Sequence, residues 1–189
     1  MATNREIRAL IRFAQNAEDV ASGLHIFRDS LPRNATRITA IIGELFAISS
    51  ILRELDAASG DPRYEPSLYR IRDDTRLVFP TLEATLEAVF DMFARSRERP
   101  HQMVWDDLGY RMENEEGIGL LERLQWYHDF LDDLFDTLDG RPSDRLGVLR
   151  RRFAALYRTQ EETNLRYRRA PIAAPGRSGT MLYTISAVA

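Results

Sequence analysis

The chain of 189 residues contains no cysteine. Disulfides, thiolate zinc sites and cysteine nucleophiles are therefore excluded together, and stability has to come from packing. Lysine is missing too, so all 26 positive residues are arginine. That usage fits a GC-rich coding sequence or a preference for bidentate partners, and both stay open. Long hydrophobic runs are scarce. The longest, Ile38 to Leu52, carries Glu44 at its centre and falls short of the roughly 20 residues a membrane span requires, so it reads as a buried helix. The first twelve residues interleave Arg5, Glu6, Arg8 and Arg12 with apolar ones. They lack the uninterrupted stretch of a secretion signal, and a cytoplasmic or nuclear location is the expectation. There is no useful strand alternation, no fixed repeat, no Gly-x-Ser-x-Gly elbow, no phosphate-binding Gly-x-x-x-x-Gly-Lys loop and no dinucleotide fingerprint. Gly117 and Gly119 serve a turn in this reading.

What is present is helical periodicity. With 44% hydrophobic and 29% charged residues, the chain is too apolar for disorder, and its length suits one domain. Ile7, Leu10, Ile11, Ala14, Ala17, Ala21, Leu24, Phe27 and Leu31 share one face of a helix from about Asn4 to Ser30, which Pro32 ends. Asn34 is positioned to cap a second helix with the broadest apolar face in the chain, from Ile38 to Leu55. Ser59-Gly60-Asp61-Pro62 signals a turn, and Pro66-Ser67 opens a third helix carrying Leu68 to Phe93 in phase. Pro80 inside it predicts a kink near Val78 within one helix. The stretch around Val104 to Leu108 is ambiguous and read as one helical turn, with Trp105 anchoring the connection. Leu120, Leu124, Tyr127, Leu131, Leu134 and Leu138 form the seam of a fourth helix, flanked by Trp126 and stopped by Gly140-Arg141-Pro142. Ser143 can cap a fifth, whose seam turns polar at Gln160 and Thr163, so core contact is expected to fade after about Leu156. The expectation is an all-α antiparallel bundle of about five helices over residues 1–168, then a flexible tail or linker over residues 169–189, where Pro171, Pro175 and Gly176 break the periodicity.

Charge is unevenly placed. From Arg141 onward ten arginines face only Asp144, Glu161 and Glu162, a local charge of +7, which leaves −10 on residues 1–140 for the total of −3. The short turn before the fifth helix should lay its arginines beside Asp129, Asp132, Asp133, Asp136 and Asp139. Arg150, Arg151, Arg152, Arg166, Arg168 and Arg169 are the candidate interaction residues, either neutralised by the acidic fourth helix or offered to an acidic partner or lipid headgroups. The sequence pI near 5.7 argues against a dedicated nucleic-acid binder.

Asp132-Asp133-Leu134-Phe135-Asp136 is similar to the aspartate-rich magnesium motif of prenyl-transferring and terpene-forming enzymes, which need carboxylates turned into an apolar cavity. At about 100° per residue the three aspartates lie opposite Leu131, Leu134 and Leu138. They are expected on solvent, and no second metal motif accompanies them. His25, His101 and His128 are scattered and form no Glu-x-x-His pair. The chain is read as non-enzymatic, with no cofactor and no metal.

The order of features resembles the HeLo-like amino-terminal domains of filamentous fungi, found at the front of NLR-like signalling proteins. The resemblance spans roughly Arg12 to Tyr157: Ile41-Ile42-Gly43-Glu44-Leu45 through Ile51-Leu52-Arg53-Glu54-Leu55, a long third helix from Leu68 to Phe93, Trp105 between helices, and a leucine-rich fourth helix. It implies a helical interaction or signalling module working through a protein partner or self-association. In some relatives such a module couples to membrane disruption when oligomerised. The charged first helix departs from the apolar segment of membrane-active members. No nucleotide-binding or repeat region follows, so a stand-alone relative or a front domain is expected. The alternative is a peripheral binder of acidic lipid through the fifth helix, and the second alternative a magnesium-dependent enzyme using Asp132, Asp133 and Asp136.

Overall fold

The structure, a computed structural model, describes residues 4–141 and 143–169, and the side chains of residues 9–141 and 143–165. All regular structure among them is helical: α1 (Asn4–Arg28), a 3-10 turn (Pro32–Asn34), α2 (Ala35–Ser59), α3 (Glu65–Arg95), α4 (His101–Tyr110) continuing into a π-helical turn (Arg111–Glu115), α5 (Leu120–Leu138) and α6 (Leu146–Arg169). The count is thus six helices where five were expected. The stretch read as one turn around Trp105 is a ten-residue helix, because Val104, Trp105 and Leu108 bury one flank of it. Apart from Arg169, whose backbone ends α6, the expected tail lies outside the described residues.

Four helices close a ring in the order α1, α2, α5, α3, and α6 lies outside it against α3 and α5. Buried apolar side chains line the ring from every member, among them Leu24, Ile41, Ile48, Leu82 and Leu131. Burial of this kind is the main favourable contribution to folding, at about 25 cal/mol per Å² of apolar surface. Directions along the ring are mixed. α1 and α2 are antiparallel, with Glu18 against Ser49 and Arg28 against Thr39. α1 and α3 run parallel, with Phe13 against Phe79 and Phe27 against Phe93. α2 and α5 are parallel as well, since Arg37 lies by the start of α5 and Glu44 meets His128 further along. A purely antiparallel bundle is therefore corrected: the α2–α3 connection crosses the ring diagonally instead of joining neighbours.

Local chemistry sets the ends. Gly140 has φ of 78° and terminates α5. Its N–H donates to Thr137 O, and the N–H of Arg141 donates to Asp136 O at 2.8 Å, the paired bonds of a Schellman motif. Ser143, expected to cap α6, stands three residues before the helix begins, and its Oγ accepts from the N–H of Arg145 at 3.1 Å within the preceding turn. Asn34 stands at the start of α2 without a side-chain capping bond. α3 runs unbroken through Pro80, which is exposed and directs its ring to solvent. Gly23 lets the Phe93 ring of α3 press against the backbone of α1, since a Cβ there would come within 2.6 Å of that ring.

Two further expectations change. α6 does not leave the core after Leu156: Gln160 and Thr163 are both buried, and Gln160 finds polar partners in Thr81 O and Thr85 Oγ1 on α3. α2 keeps the ends the sequence marked at Asn34 and Ser59-Gly60, but the expectation that its apolar stretch is too short for a membrane span changes, since Pro32–Ser59 is long and apolar enough to cross one by length and composition alone. Nor is it a helix buried all round: Ile38, Ile41, Leu45, Ile48 and Leu52 face the ring, while Phe46 on the opposite side is 51% exposed.

Candidate functional site

Three consecutive arginines on a helix cannot share a direction, because successive side chains are about 100° apart. Arg150 turns toward α3 and grips Asp74 with Nε and Nη2, both at 2.6 Å. The Asp74 side chain is only 6% exposed, so this is a charge-assisted bidentate pair holding α6 to the ring. The bonds to Asp74 raise the guanidinium pKa further. Arg152 turns the other way and lies over the indole of Trp126, 4.7 Å from its centroid, while Trp126 packs on Phe153. Arg151, between them, points outward and is exposed.

Arg145, one turn earlier, donates to Asp133 Oδ1 at 3.0 Å, and that bond raises its pKa. Asp133 is buried, which corrects the expectation that all three motif carboxylates face solvent. Asp132 is exposed and Asp136 pairs with Arg141. The motif is thus split between core edge and surface, and no grouping of three metal-ligating side chains occurs among the described residues.

The outward side of α6 carries Val148, Arg151, Ala155, Arg158, Glu162 and Leu165, all within about 60° of Arg151 on the helical wheel. Val148 and Leu165 are 43% and 50% exposed. Arg158 donates to the carbonyl of Ala154 within its own helix. Among the described residues, Arg151, Arg152 and Arg158 have no carboxylate partner, whereas Arg145 and Arg150 do. Arg166, Arg168 and Arg169 continue the helix, and their side chains lie outside the described residues.

Beneath this face sits a buried polar cluster that sequence reading missed. Arg123 is fully buried and donates from Nη1 to Glu116 Oε2 at 2.7 Å and from Nη2 to Ile118 O at 2.9 Å. Arg111 Nε donates to the other oxygen of Glu116, and its Nη2 reaches Asn164 on α6. Thr85 Oγ1 bonds the Tyr127 hydroxyl, and Gln160 Nε2 donates to Thr85 Oγ1 and Thr81 O. Burial pushes the Tyr127 phenol up to about 12. The cluster fixes α6 by hydrogen-bond geometry along its second half, where apolar contact has run out. One signal was available: Arg123 stands between Leu120 and Leu124 on the seam side of α5.

No family model, curated protein or solved structure matches the chain.

Proposed function

We propose that the protein is a non-enzymatic helical interaction module, of the signalling kind met in fungal HeLo-like domains, that offers the outer face of α6 to an acidic segment of a partner protein. One observation carries the reading: Arg150 of α6 and Arg145 in the turn before it are neutralised by Asp74 and Asp133, while Arg151, Arg152 and Arg158 of α6 have no carboxylate partner among the described residues. Guanidinium groups interleaved with exposed Val148, Ala155 and Leu165 suit an amphipathic acidic helix better than a bare polyanion.

The test is binding of a fluorescein-labelled amphipathic peptide rich in glutamate, read by anisotropy at low and high salt. Binding at low salt that weakens with salt is expected, reduced at least fivefold in Arg151→Ala/Arg158→Ala, as loss of two screened charge contacts implies. No binding at low salt overturns the proposal. Retention by phosphatidylserine vesicles in place of the peptide would favour acidic lipid as the ligand of the same face.

A further inference from the structure

α2 is more apolar than its contacts with the ring require. Thr36, Thr39, Ala40, Gly43, Phe46, Ala47, Ser50, Glu54 and Ala57 all fall within about 60° of Gly43 on the helical wheel. Every one except the half-buried Ala47 is exposed. Of the other charged residues of α2, Asp56 lies on the far side, half-buried, and three are turned sideways. Arg37 pairs with Glu113 and Glu44 with His128 on the α5 flank, and Arg53 pairs with Glu18 on the α1 flank. What remains is a face about six turns long with one charge, Glu54, near its end and one large apolar side chain, Phe46, at its middle. A long exposed face of small, mostly uncharged side chains around one aromatic is a surface on which a second helix can pack closely.

We infer that this face is covered by the α2 of a second copy of the same chain, packed antiparallel about a two-fold axis between Glu44 and Leu45. The geometry is self-complementary in the sense a two-fold interface demands. With the axis there, Phe46 of each copy lies over Gly43 of the other, and Gly43 offers the hole, because nothing stands within 4 Å of where its Cβ would be. Thr39 comes opposite Ser50, hydroxyl to hydroxyl. Glu54 is carried to the opposite end of the partner's helix, beside Arg33, which is exposed and has no carboxylate among the described residues. A parallel arrangement would instead set Glu54 against Glu54. Thr39, Gly43 and Ala47, spaced by four, let the two backbones approach closely. The flanking ion pairs are already neutral and do not repel their copies. One helix pair buries less than the roughly 1,600 Å² of a standard interface, so the dimer belongs to the micromolar range.

Sedimentation velocity of the full chain from about 1 to 300 µM is the experiment, spanning free energies of roughly 5 to 8 kcal/mol. A monomer–dimer equilibrium is expected. Gly43→Gln fills the hole in open space and should leave the fold and its melting temperature in place while weakening association at least tenfold. Phe46→Ser should do the same. Glu54→Arg should weaken association and Glu54→Arg/Arg33→Glu should restore it. The absence of cysteine allows a single nitroxide at Ala57→Cys, whose two copies are expected about 38 Å apart along the axis at 1.5 Å per residue. A chain that stays monomeric throughout, a dimer indifferent to Gly43→Gln, or labels side by side would each overturn the inference. None of these outcomes bears on acidic-peptide binding by α6, so the two readings fail separately.

Discussion

At the scale of single residues the chain is governed by one buried cation. Arg123 has no exposed surface and sits with Glu116 and Tyr127 where its helix would accept a leucine. Its Nε, like Gln160 Oε1, has no hydrogen-bond partner among the described residues. A pair of this kind contributes little net stability but is costly to break, because either partner left alone is a bare buried charge. Tyr127 reports on the same place. Its pKa rises from 10.0 to about 12 because burial opposes the phenolate. Between those values the unfolded chain loses the proton and the folded chain keeps it, so stability is intact below pH 10 and falls as pH rises through the window. About two pH units amount to roughly 2–3 kcal/mol. Urea midpoints measured from pH 9 to 12 should show this decline, and Tyr127→Phe should flatten it. Tyr64 and Tyr157 also shift upward, through hydrogen bonds to Asp139 and Glu161, but Tyr157 is exposed and Tyr64 only half-buried, so solvent screens both and they contribute little.

At the scale of the helices, apolar seams and charges can be ranked. Leu131 and Leu134 are fully buried in α5, so truncation to alanine should cost about 2–5 kcal/mol through lost burial and a residual cavity. Arg151 is exposed without a carboxylate, so Arg151→Ala should cost less than about 1 kcal/mol. Thermal or urea unfolding distinguishes these, and an Arg151 variant as damaging as the leucine ones would contradict the packing described for α6. The leucine seam was legible in the sequence because one side of α5 repeats at steps of three and four, and α2 was legible from its density of isoleucine. What periodicity could not supply was the partner of each face. Arg150 was expected beside the acidic fourth helix, yet it crosses to Asp74 on the third, 76 positions away. Gln160 and Thr163 read as surface residues because polarity usually means solvent, whereas Thr81, Thr85 and Tyr127 provide polar company inside. Helix α4 was read as a single turn because ten residues with only three inward side chains give barely one period of signal.

At the scale of the whole molecule, α6 covers the ring of α1, α2, α5 and α3 from one side, adding Leu146, Leu149, Phe153 and Leu156 of its first half to the common core and holding on further by an ion pair and hydrogen bonds. The join should therefore open before the ring does. Arg150→Ala leaves Asp74 without its bidentate partner, which should speed amide exchange along α6 about tenfold for each 1.4 kcal/mol lost, while amides of α2 and α5 keep their protection. Exchange read by mass spectrometry checks this, and uniform acceleration across all helices would mean that ring and α6 form a single cooperative unit. The long reach between Asp74 and Arg150 also orders events in time. A growing polypeptide leaves the ribosome amino-terminal end first, so α1 to α5 can assemble while α6 is still being made. During that interval Asp74, Tyr127 and Phe130, which later meet Arg150 and Phe153, stand uncovered on the nascent chain, so the last helix to be made is also the one that seals it.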